Sequence, residues 1–334
     1  MSNLTVSSSP HIRQNTSTQR VMLDVIIALM PALVASVIIF GFRALLVVAV
    51  CVAGCVLAEL IWQKLMHQKV TVGDLTAVVT GILLAYNLPV GIPIWQALIG
   101  CVVAIIGVKQ LFGGVGKNFV NPAITARIVM FLAFSATMAT WVIPEMSAAL
   151  AGGAVDAVAS ATSSATSSAT VVVDAVSTAT PLGLIASGQT GQLPCLLDMF
   201  LGLRGGCLGE TSVLALLLGG IYLVIRKVIT WHTPVVYIGT VLLFTLALGQ
   251  EPVYQIMSGG LMLGAIFMAT DYVTTPYSAI GKVIFGLGAG ILTVIIRVYG
   301  SYPEGVSFSI LLMNILTPYL NRIRITRPVG GAKA

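Results

Sequence analysis

VMLDVIIALMPALVASVIIFG, residues 21–41, is the apolar run that decides the fold class. It is long enough to cross the hydrocarbon core of a bilayer as one helix, which takes about 20 residues. It is too long for the core of a signal peptide, and no clear small-residue cleavage site follows it. We therefore interpret it as a retained first membrane span. Arg13 and Arg20 precede the run, and Pro31 within it predicts a kink.

The composition extends this interpretation to the whole chain. Of its 334 residues, 57% are hydrophobic and 8% are charged, and the mean hydropathy is +1.01. Soluble domains carry about 25% charged residues, so a soluble fold could not bury this much apolar surface. The sequence predicts an all-α polytopic membrane protein in the lipid bilayer. The net charge of +6 indicates membrane topology, and we expect no nucleic-acid partner.

Ten apolar segments follow one another along the chain, separated by polar or Pro/Gly-rich breaks. Their approximate bounds are 21–41, 44–62, 76–88, 94–108, a fifth reaching residue 143, then 210–225, 234–249, 254–270, 280–297 and 305–320. We divide the chain into a tail (1–20), a first bundle (21–143), a loop (144–205), a second bundle (206–320) and a tail (321–334). Five spans on each side of the loop would allow a 5+5 inverted repeat.

Basic residues indicate how these spans are oriented. If the N-terminus is cytoplasmic, the outer loops hold Arg43, Arg204 and Arg297, and Arg127 lies within the fifth span. The inner loops then hold thirteen basic residues: Arg13, Arg20, Lys64, Lys69, Lys109, Lys117, Arg226, Lys227, Lys282, Arg322, Arg324, Arg327 and Lys333. A bias of this kind orients membrane proteins. We expect both termini in the cytoplasm and the loop 144–205 outside.

The outer loop ends in a segment, DAVSTATPL (174–182), that resembles a flavin attachment site. The attachment pattern is Asp, two residues, Ser or Thr, a small residue, Ala and the acceptor Thr. The matching positions are Asp174, Ser177, Thr178, Ala179 and Thr180, with Thr178 where Gly is usual. The resemblance implies that a flavin transferase attaches FMN to Thr180 through its phosphate. The alternative is a Ser/Thr-rich loop without a cofactor.

The loop is repetitive, so other threonines must be compared with Thr180. The segment 156–162 has the same Asp-to-Thr spacing, but Ala159 replaces the hydroxyl residue. Thr166 and Thr170 have no Asp six residues before them. Only Thr180 has the whole pattern, and we interpret the remaining low-complexity run as a tether.

Two further stretches bring polar residues towards the membrane, 113–123 and 259–276. In the first, Asn118 and Asn121 are three residues apart, so on a helix or helix-like turn they would share a face. Free backbone groups at such a helix start can bind a polar ligand, and helix capping is the alternative. In the second, Asp271 is either a cap or part of an ion or cofactor path.

The five cysteines predict no metal site. Cys51, Cys55 and Cys101 lie in apolar spans and are typical of small core residues. Cys195 and Cys207 could form a disulfide in an oxidising compartment. There is no Cys-x-x-Cys pair, and the three histidines are scattered, so an iron–sulfur, zinc or haem site is not expected.

The inner turn 113–123, the attachment segment, the run GLRGGCLGETS (202–212) and the segment 268–276 occur in this order. Together they resemble the RnfD (RsxD) subunit of the Rnf electron-transport complex, which is related to the B subunit of the sodium-translocating NADH:quinone reductase. The resemblance implies a complex in the bacterial inner membrane. Such a complex couples electron transfer between ferredoxin and NAD to Na⁺ or H⁺ transport.

The resemblance also implies cofactors and partners. Covalent FMN would lie on Thr180, facing the periplasm. A second, non-covalent flavin, riboflavin, would lie near Asn118 and Asn121. Partner subunits would carry iron–sulfur centres, bind NADH and hold a second FMN. Glu210 and Asp271 are candidates for influencing charge near the electron path.

A secondary transporter or channel without a redox role is the alternative function. Ten spans, a short third span and polar residues within the membrane suit it equally well. The acceptor pattern at Thr180 separates the two, because a transporter has no use for it. The polar breaks disfavour a third class, a purely structural scaffold.

Overall fold

The computed structural model describes residues 17–141, 180–187, 191, 193–300 and 304–323. This part of the chain is helical and has no β-strand beyond one isolated antiparallel bridge, between Pro89 and Cys207. In chain order the helices are α1 (Thr18–Phe40), α2 (Phe42–Leu65), α3 (Thr76–Tyr86), α4 (Ile94–Val102), α5 (Pro122–Ala133), α6 (Ser135–Met138), α7 (Pro181–Ala186), α8 (Leu196–Leu201), α9 (Val213–Ile225), α10 (His232–Ala247), α11 (Pro252–Met257), α12 (Leu261–Leu263), α13 (Ala279–Tyr299) and α14 (Val306–Leu320). The π-helical segments Val103–Gln110 and Gly264–Met268 continue α4 and α12.

Three helices, α1, α2 and α13, are long and apolar enough to cross a bilayer. Shorter apolar helices accompany them: α3, α4 with its π-helical extension, α5, α9, α10 and α14. Large apolar side chains are exposed along them, for example Ile38 at 56% and Leu243 at 66%. Water would disfavour this surface and lipid suits it. The protein is a multi-pass membrane protein, and the number of ten spans stays a prediction.

Two predicted spans differ from the helices. The fifth was expected to reach residue 143, but α5 ends at Ala133, where Phe134 leaves the helical conformation and packs edge-on against Trp95. The segment 254–270 is not one span, because Gly259 and Gly260 have positive φ and separate α11 from α12. Glycine adopts this backbone conformation at little cost, so the break is encoded locally.

The segment 202–212 fills the break that follows α3. The N–H of Leu208 donates to the carbonyl of Leu88 (3.1 Å) and the N–H of Gly209 to that of Tyr86 (3.0 Å). These bonds satisfy carbonyls that the end of a helix leaves free, which a membrane interior requires. Gly209 is needed here, because a Cβ would lie 2.2 Å from the Tyr86 side chain. The segment is therefore built into the helical bundle.

Helix packing closes the bundle around this segment. α1 packs against α9, α2 against α3, and α10 against α13. In the first pair, a Cβ on Gly219 would lie 2.1 Å from the carbonyl oxygen of Ala28, so only glycine permits the approach. Small residues at such contacts are typical of membrane helices.

Three basic residues that the sequence places in loops are buried in the structure. Lys109 is 4% exposed, Arg204 8% and Arg297 7%. These three residues do not contribute to the charge of the loops, because each is surrounded by protein groups inside the bundle. When these three residues are left out of the count, the excess of basic residues in the inner loops is larger, since Arg43 alone remains among the basic residues predicted in the outer loops. The orientation itself stays a prediction.

The cysteines are unpaired thiols. Cys51, Cys55 and Cys101 are fully buried between α2 and α4, and the thiol of Cys101 donates to the carbonyl of Cys51 (3.4 Å). Cys195 is exposed and Cys207 is buried, so the disulfide that the sequence left open does not form in this structure. The buried thiols pack as small core side chains.

Candidate functional site

Thr180 begins the short helix α7. Its Oγ1 accepts a hydrogen bond from the N–H of Gly183 (3.2 Å), and Pro181 occupies the first helical position. The Thr180 side chain is half-buried, whereas the polar sequence around it predicts an exposed loop hydroxyl. The difference arises because Thr180 is an N-cap and Leu182 is buried. The other attachment residues, Asp174, Ser177, Thr178 and Ala179, lie outside the described residues.

Thr180 opens onto a small cavity with an empty volume of about 300 Å³. Its walls come from α7, from the segment 202–212, from the break between α11 and α12, and from Glu304, shortly before α14. The lining residues are Thr180, Pro181, Leu182, Arg204, Gly205, Gly206, Glu210, Ser258, Gly259 and Glu304. The structure thus brings the predicted acceptor next to charged groups.

A buried charge cluster, formed by Arg127, Arg204, Arg297, Glu210 and Glu304, adjoins this cavity. Arg127 projects from α5 and forms ion pairs with Glu210 (3.1 Å) and with Glu304. Its other nitrogen donates to Oδ1 of Asn87 (2.8 Å). A buried charge is tolerated only when it has ion-pair and hydrogen-bond partners. Arg127 has both, so its positive charge is compensated.

Within the part of the chain that the structure describes, the other two arginines of the cluster have no carboxylate partner. Arg204 donates to the carbonyls of Glu210 (3.0 Å) and Met257, and Arg297 to those of Gln255 (2.6 Å) and Ser258 (3.0 Å). The Nε of each is buried and has no acceptor among the residues that the structure describes. Burial lowers the pKa of Arg204 to about 10. Three guanidinium groups therefore face two carboxylates, and the excess positive charge fits an anionic group.

The same cluster contains a set of potential metal-ligand atoms. Those of Cys207, Glu210 and Glu304 lie within 4.8 Å of one another. The Arg127 guanidinium, however, contacts both carboxylates and lies 3.7 Å from the sulfur of Cys207. A cation already compensates these groups, so they favour the ion pairs over a metal.

A second, larger cavity lies at the start of α5, with an empty volume of about 830 Å³ including its open mouth. Its walls are mainly apolar, with a few polar side chains: Thr76, Thr80, Lys109, Asn118, Asn121, Thr270 and Asp271. The two polar stretches of the sequence meet here, 113–123 on one wall and 259–276 on the other. A mainly apolar cavity with a few polar groups is typical of a small-molecule site.

Asn118 and Asn121 line this inner cavity in different ways. Asn121 is the N-cap of α5: its Oδ1 accepts from the N–H of Ala123 (3.0 Å), and its Nδ2 donates to the carbonyl of Met268 (3.4 Å). Asn118 donates to the carbonyl of Val120 (3.1 Å). Neither is helical, so they reach one cavity through a turn and not through a helix face. Asn121 therefore caps α5 and lines the cavity at the same time.

Asp271 also lines the inner cavity. Its carboxylate accepts from the hydroxyl of Thr274 (3.2 Å), and its carbonyl accepts from the N–H of Thr275 (3.2 Å). Burial raises the pKa of its carboxyl group. Asp271 therefore both closes the turn after the π-helical segment and contributes polarity to the cavity.

The inner cavity is bordered by an ion pair that the charge pattern of the loops does not reveal. The Nζ of Lys109 lies 2.8 Å from Oε2 of Glu59 and 2.8 Å from the hydroxyl of Thr76. Gln110 donates to the same carboxylate (2.9 Å), and Glu59 is fully buried. Lys109 reaches it from a π-helical segment, a feature common at functional sites. The sequence does contain a sign of this ion pair, because Glu59 is a charged residue within an apolar span.

Helix α5 connects the two sites. Asn121 at its start and Arg127 within it are six residues apart, which is about 9 Å along an α-helix. Asn87 accepts from Arg127 and contacts the sulfur of Met268 (3.7 Å), whose carbonyl binds Asn121. A chain of contacts thus joins the outer charge cluster to the inner cavity.

Comparison with known proteins identifies the family of this chain. The model of the NQR2, RnfD, RnfE family matches residues 5–330. The chain belongs to the NQR2, RnfD, RnfE family. Since the match covers nearly all of the chain, both cavities and the charge cluster lie within the family's common region. The resemblance predicted from the motifs is confirmed.

Curated members of the NQR2, RnfD, RnfE family are similar to this chain over almost its whole length. The D subunit of a Na⁺-translocating ferredoxin:NAD⁺ oxidoreductase complex from Acetobacterium woodii is 47% identical, covering 99% of this chain and 96% of the relative. The D subunit of a proton-translocating ferredoxin:NAD⁺ oxidoreductase complex from Clostridium ljungdahlii is 41% identical, with 97% and 95% covered. The D subunit of an ion-translocating oxidoreductase complex from Escherichia coli is 33% identical, with 98% and 99% covered.

Proposed function

We propose that this chain is the flavin-carrying membrane subunit of an ion-translocating ferredoxin:NAD oxidoreductase complex in the bacterial inner membrane. The observation that carries the proposal is the placement of Thr180. The acceptor of the attachment pattern lies beside a buried cluster with excess positive charge, in a chain of this family. Partner subunits supply the iron–sulfur centres, the NADH site and a second FMN, and a flavin transferase matures this one.

Each part of the outer site has a task in this function. Thr180 supplies the hydroxyl oxygen that becomes the ester oxygen, and α7 fixes that oxygen at the mouth of the cavity. The cluster supplies positive charge for a phosphate. A bound flavin supplies one- and two-electron chemistry, while the protein supplies position and electrostatics. Attachment keeps the cofactor on the periplasmic face.

The inner cavity suits the second, non-covalent flavin. Its apolar walls can pack against the faces of a flat ring system, and Asn118 offers an oxygen that accepts no hydrogen bond among the described residues. Lys109, which is paired with Glu59, and Asp271 add polar groups to the lining. We propose riboflavin as the occupant, with Asn118 and Asn121 on its polar side.

Mass spectrometry of the purified chain tests the proposal. Co-expression with a flavin transferase should add the mass of FMN less one water, located on the peptide that contains Thr180. The denatured band should fluoresce as a flavin does. Expression without the transferase is the matched control and should give the unmodified mass. An unmodified chain after co-expression with an active transferase contradicts the proposal.

The buried Glu59–Lys109 pair and the broken helices favour the second candidate, a secondary transporter without a redox role. The same mass measurement separates the two functions. A transporter would carry no flavin on Thr180 and would move its ion without an electron donor.

A further inference from the structure

The cavity beside Thr180 contains hydrogen-bond donors without acceptors. The Nε–H of Arg204 is buried and has no partner in the described ranges of the chain. Gly205 and Gly206 line the same cavity and are partly exposed, and their backbone N–H groups donate to no acceptor among the described residues. Buried donors in folded proteins are almost always paired. One buried donor and two partly exposed ones, without acceptors among the described residues, are thus available beside one cavity to a ligand that brings acceptor oxygens.

The charge of the cluster specifies that ligand further. Arg127, Arg204 and Arg297 carry three positive charges, and Glu210 and Glu304 carry two negative charges. An uncompensated charge in a buried site is costly. A phosphodiester carries one negative charge, and its two non-bridging oxygens accept hydrogen bonds, so it would neutralise the cluster.

Among the three arginines, Arg204 is the one placed to meet such a group. Arg127 is saturated by two carboxylates and by Asn87. Arg297 is not among the residues that line the cavity of Thr180; it lines a different cavity, to which Leu182 also contributes. Arg204 lines the cavity of Thr180, has no carboxylate partner and keeps one N–H free.

We propose that Arg204, together with the N–H groups of Gly205 and Gly206, binds the phosphate of the flavin attached at Thr180. The inference rests on the proposed function, because it needs attachment through the phosphate. Glycine at two consecutive positions lets backbone N–H groups approach an anion closely. Arg204 acts as a positioning residue: it holds the phosphate against the cluster and restricts an otherwise freely rotating tether.

The test uses ³¹P NMR of the full-length chain, purified with its flavin in a phosphate-free detergent. The flavin ester is then the phosphorus signal observed. In the wild type, the native chemical shift should differ from that of the denatured chain. In Arg204→Gln this difference should collapse towards zero, and in Arg204→Lys it should be reduced, because the charge remains while the Nε–H is lost. Flavin fluorescence of the denatured band reports attachment separately.

Arg43→Gln is the matched control. Arg43 also donates to backbone carbonyls, those of Val90 and Gly91 (3.1 and 3.3 Å), but lies outside the cluster. It should keep the wild-type shift difference. If attached flavin gives the wild-type difference in both Arg204 variants, the phosphate role of Arg204 is wrong while the proposed function stands. If Arg204→Gln does not fold or carries no flavin, Arg204→Lys decides alone. A wild type without covalent flavin overturns the proposed function instead.

Discussion

Thr180 has two tasks that can be separated by substitution: it offers a hydroxyl and it caps α7. Thr180→Asn keeps a capping oxygen but has no hydroxyl, whereas Thr180→Val removes both. Both variants should lose the covalent flavin, measured as fluorescence of the denatured band. Thr180→Val should also lose about 1 kcal/mol of stability through the cap, and Thr180→Asn almost none. Thermal unfolding of the unflavinylated chains measures that difference.

Thr162→Val is the control for this series, since Thr162 belongs to the upstream copy that lacks a hydroxyl at Ala159. Thr162→Val should keep the covalent flavin, so its denatured band should remain fluorescent. The assignment of Thr180 is wrong if Thr180→Asn stays fluorescent and Thr162→Val does not.

At the same scale, Glu59 and Lys109 should behave as a coupled pair. Lys109→Met leaves the carboxylate of Glu59 buried with only the side-chain amides of Gln63 and Gln110 donating to it, so it should cost about 3–5 kcal/mol. Glu59→Gln/Lys109→Met removes both charges and should recover most of that loss. Thermal unfolding of the single and double variants gives the coupling energy. Additive losses would show that the pair contributes little as a pair.

Among the elements, the start of α5 carries the inner site. Asn118→Leu removes the free oxygen of Asn118 and leaves the cap at Asn121 untouched, so the non-covalent flavin content should fall while covalent FMN remains. Asn121→Asp is the matched variant, because it keeps the capping oxygen. It should preserve α5 and lose only the hydrogen bond to Met268. Acid extraction followed by chromatography measures both flavins. If the riboflavin content of Asn118→Leu is unchanged, the Asn118 side chain serves only to form the hydrogen bond of the turn.

The sequence predicts those elements that depend on local composition. The ends of α1 and α2 fall within three residues of the ends of the predicted spans, because a long apolar run has one favourable state in lipid. The break at residues 258–260 was missed, since paired glycines are also compatible with close helix packing. The charge cluster could not be predicted: Arg127 and Glu304 are 177 residues apart, and only the tertiary fold brings them together. A short motif marks Thr180 as the candidate acceptor, and that assignment stays a prediction; the cavity beside Thr180 was not predicted.

For the molecule as a whole, the two sites lie at opposite ends of the chain of contacts along α5. The inner cavity is built from the starts of α1, α3 and α5 and the end of α9, while the outer cavity is built from α7 and the segment 202–212. If the N-terminus is cytoplasmic, the helix direction of α1 places the inner cavity nearer the cytoplasm. The two flavins would then lie in sequence across the membrane, which suits electron transfer coupled to transport.

Topology therefore decides whether this arrangement can work, and reporter fusions test it. A reporter that is active only outside the cytoplasm should work when fused near residue 165 and fail when fused at Lys227 or after Lys333. The reason is the distribution of basic residues, which is sharper once the buried Lys109, Arg204 and Arg297 are set aside. Lys227 is a suitable fusion point, since it is exposed in the short connection between α9 and α10 and its replacement disturbs no core contact. A cytoplasm-specific reporter at the same three positions is the control and should give the opposite pattern. If the outside reporter were active at Lys227, the end of α9 would lie outside the cytoplasm. The predicted orientation of the second bundle would then be wrong, and the basis for a periplasmic flavin on Thr180 would be lost.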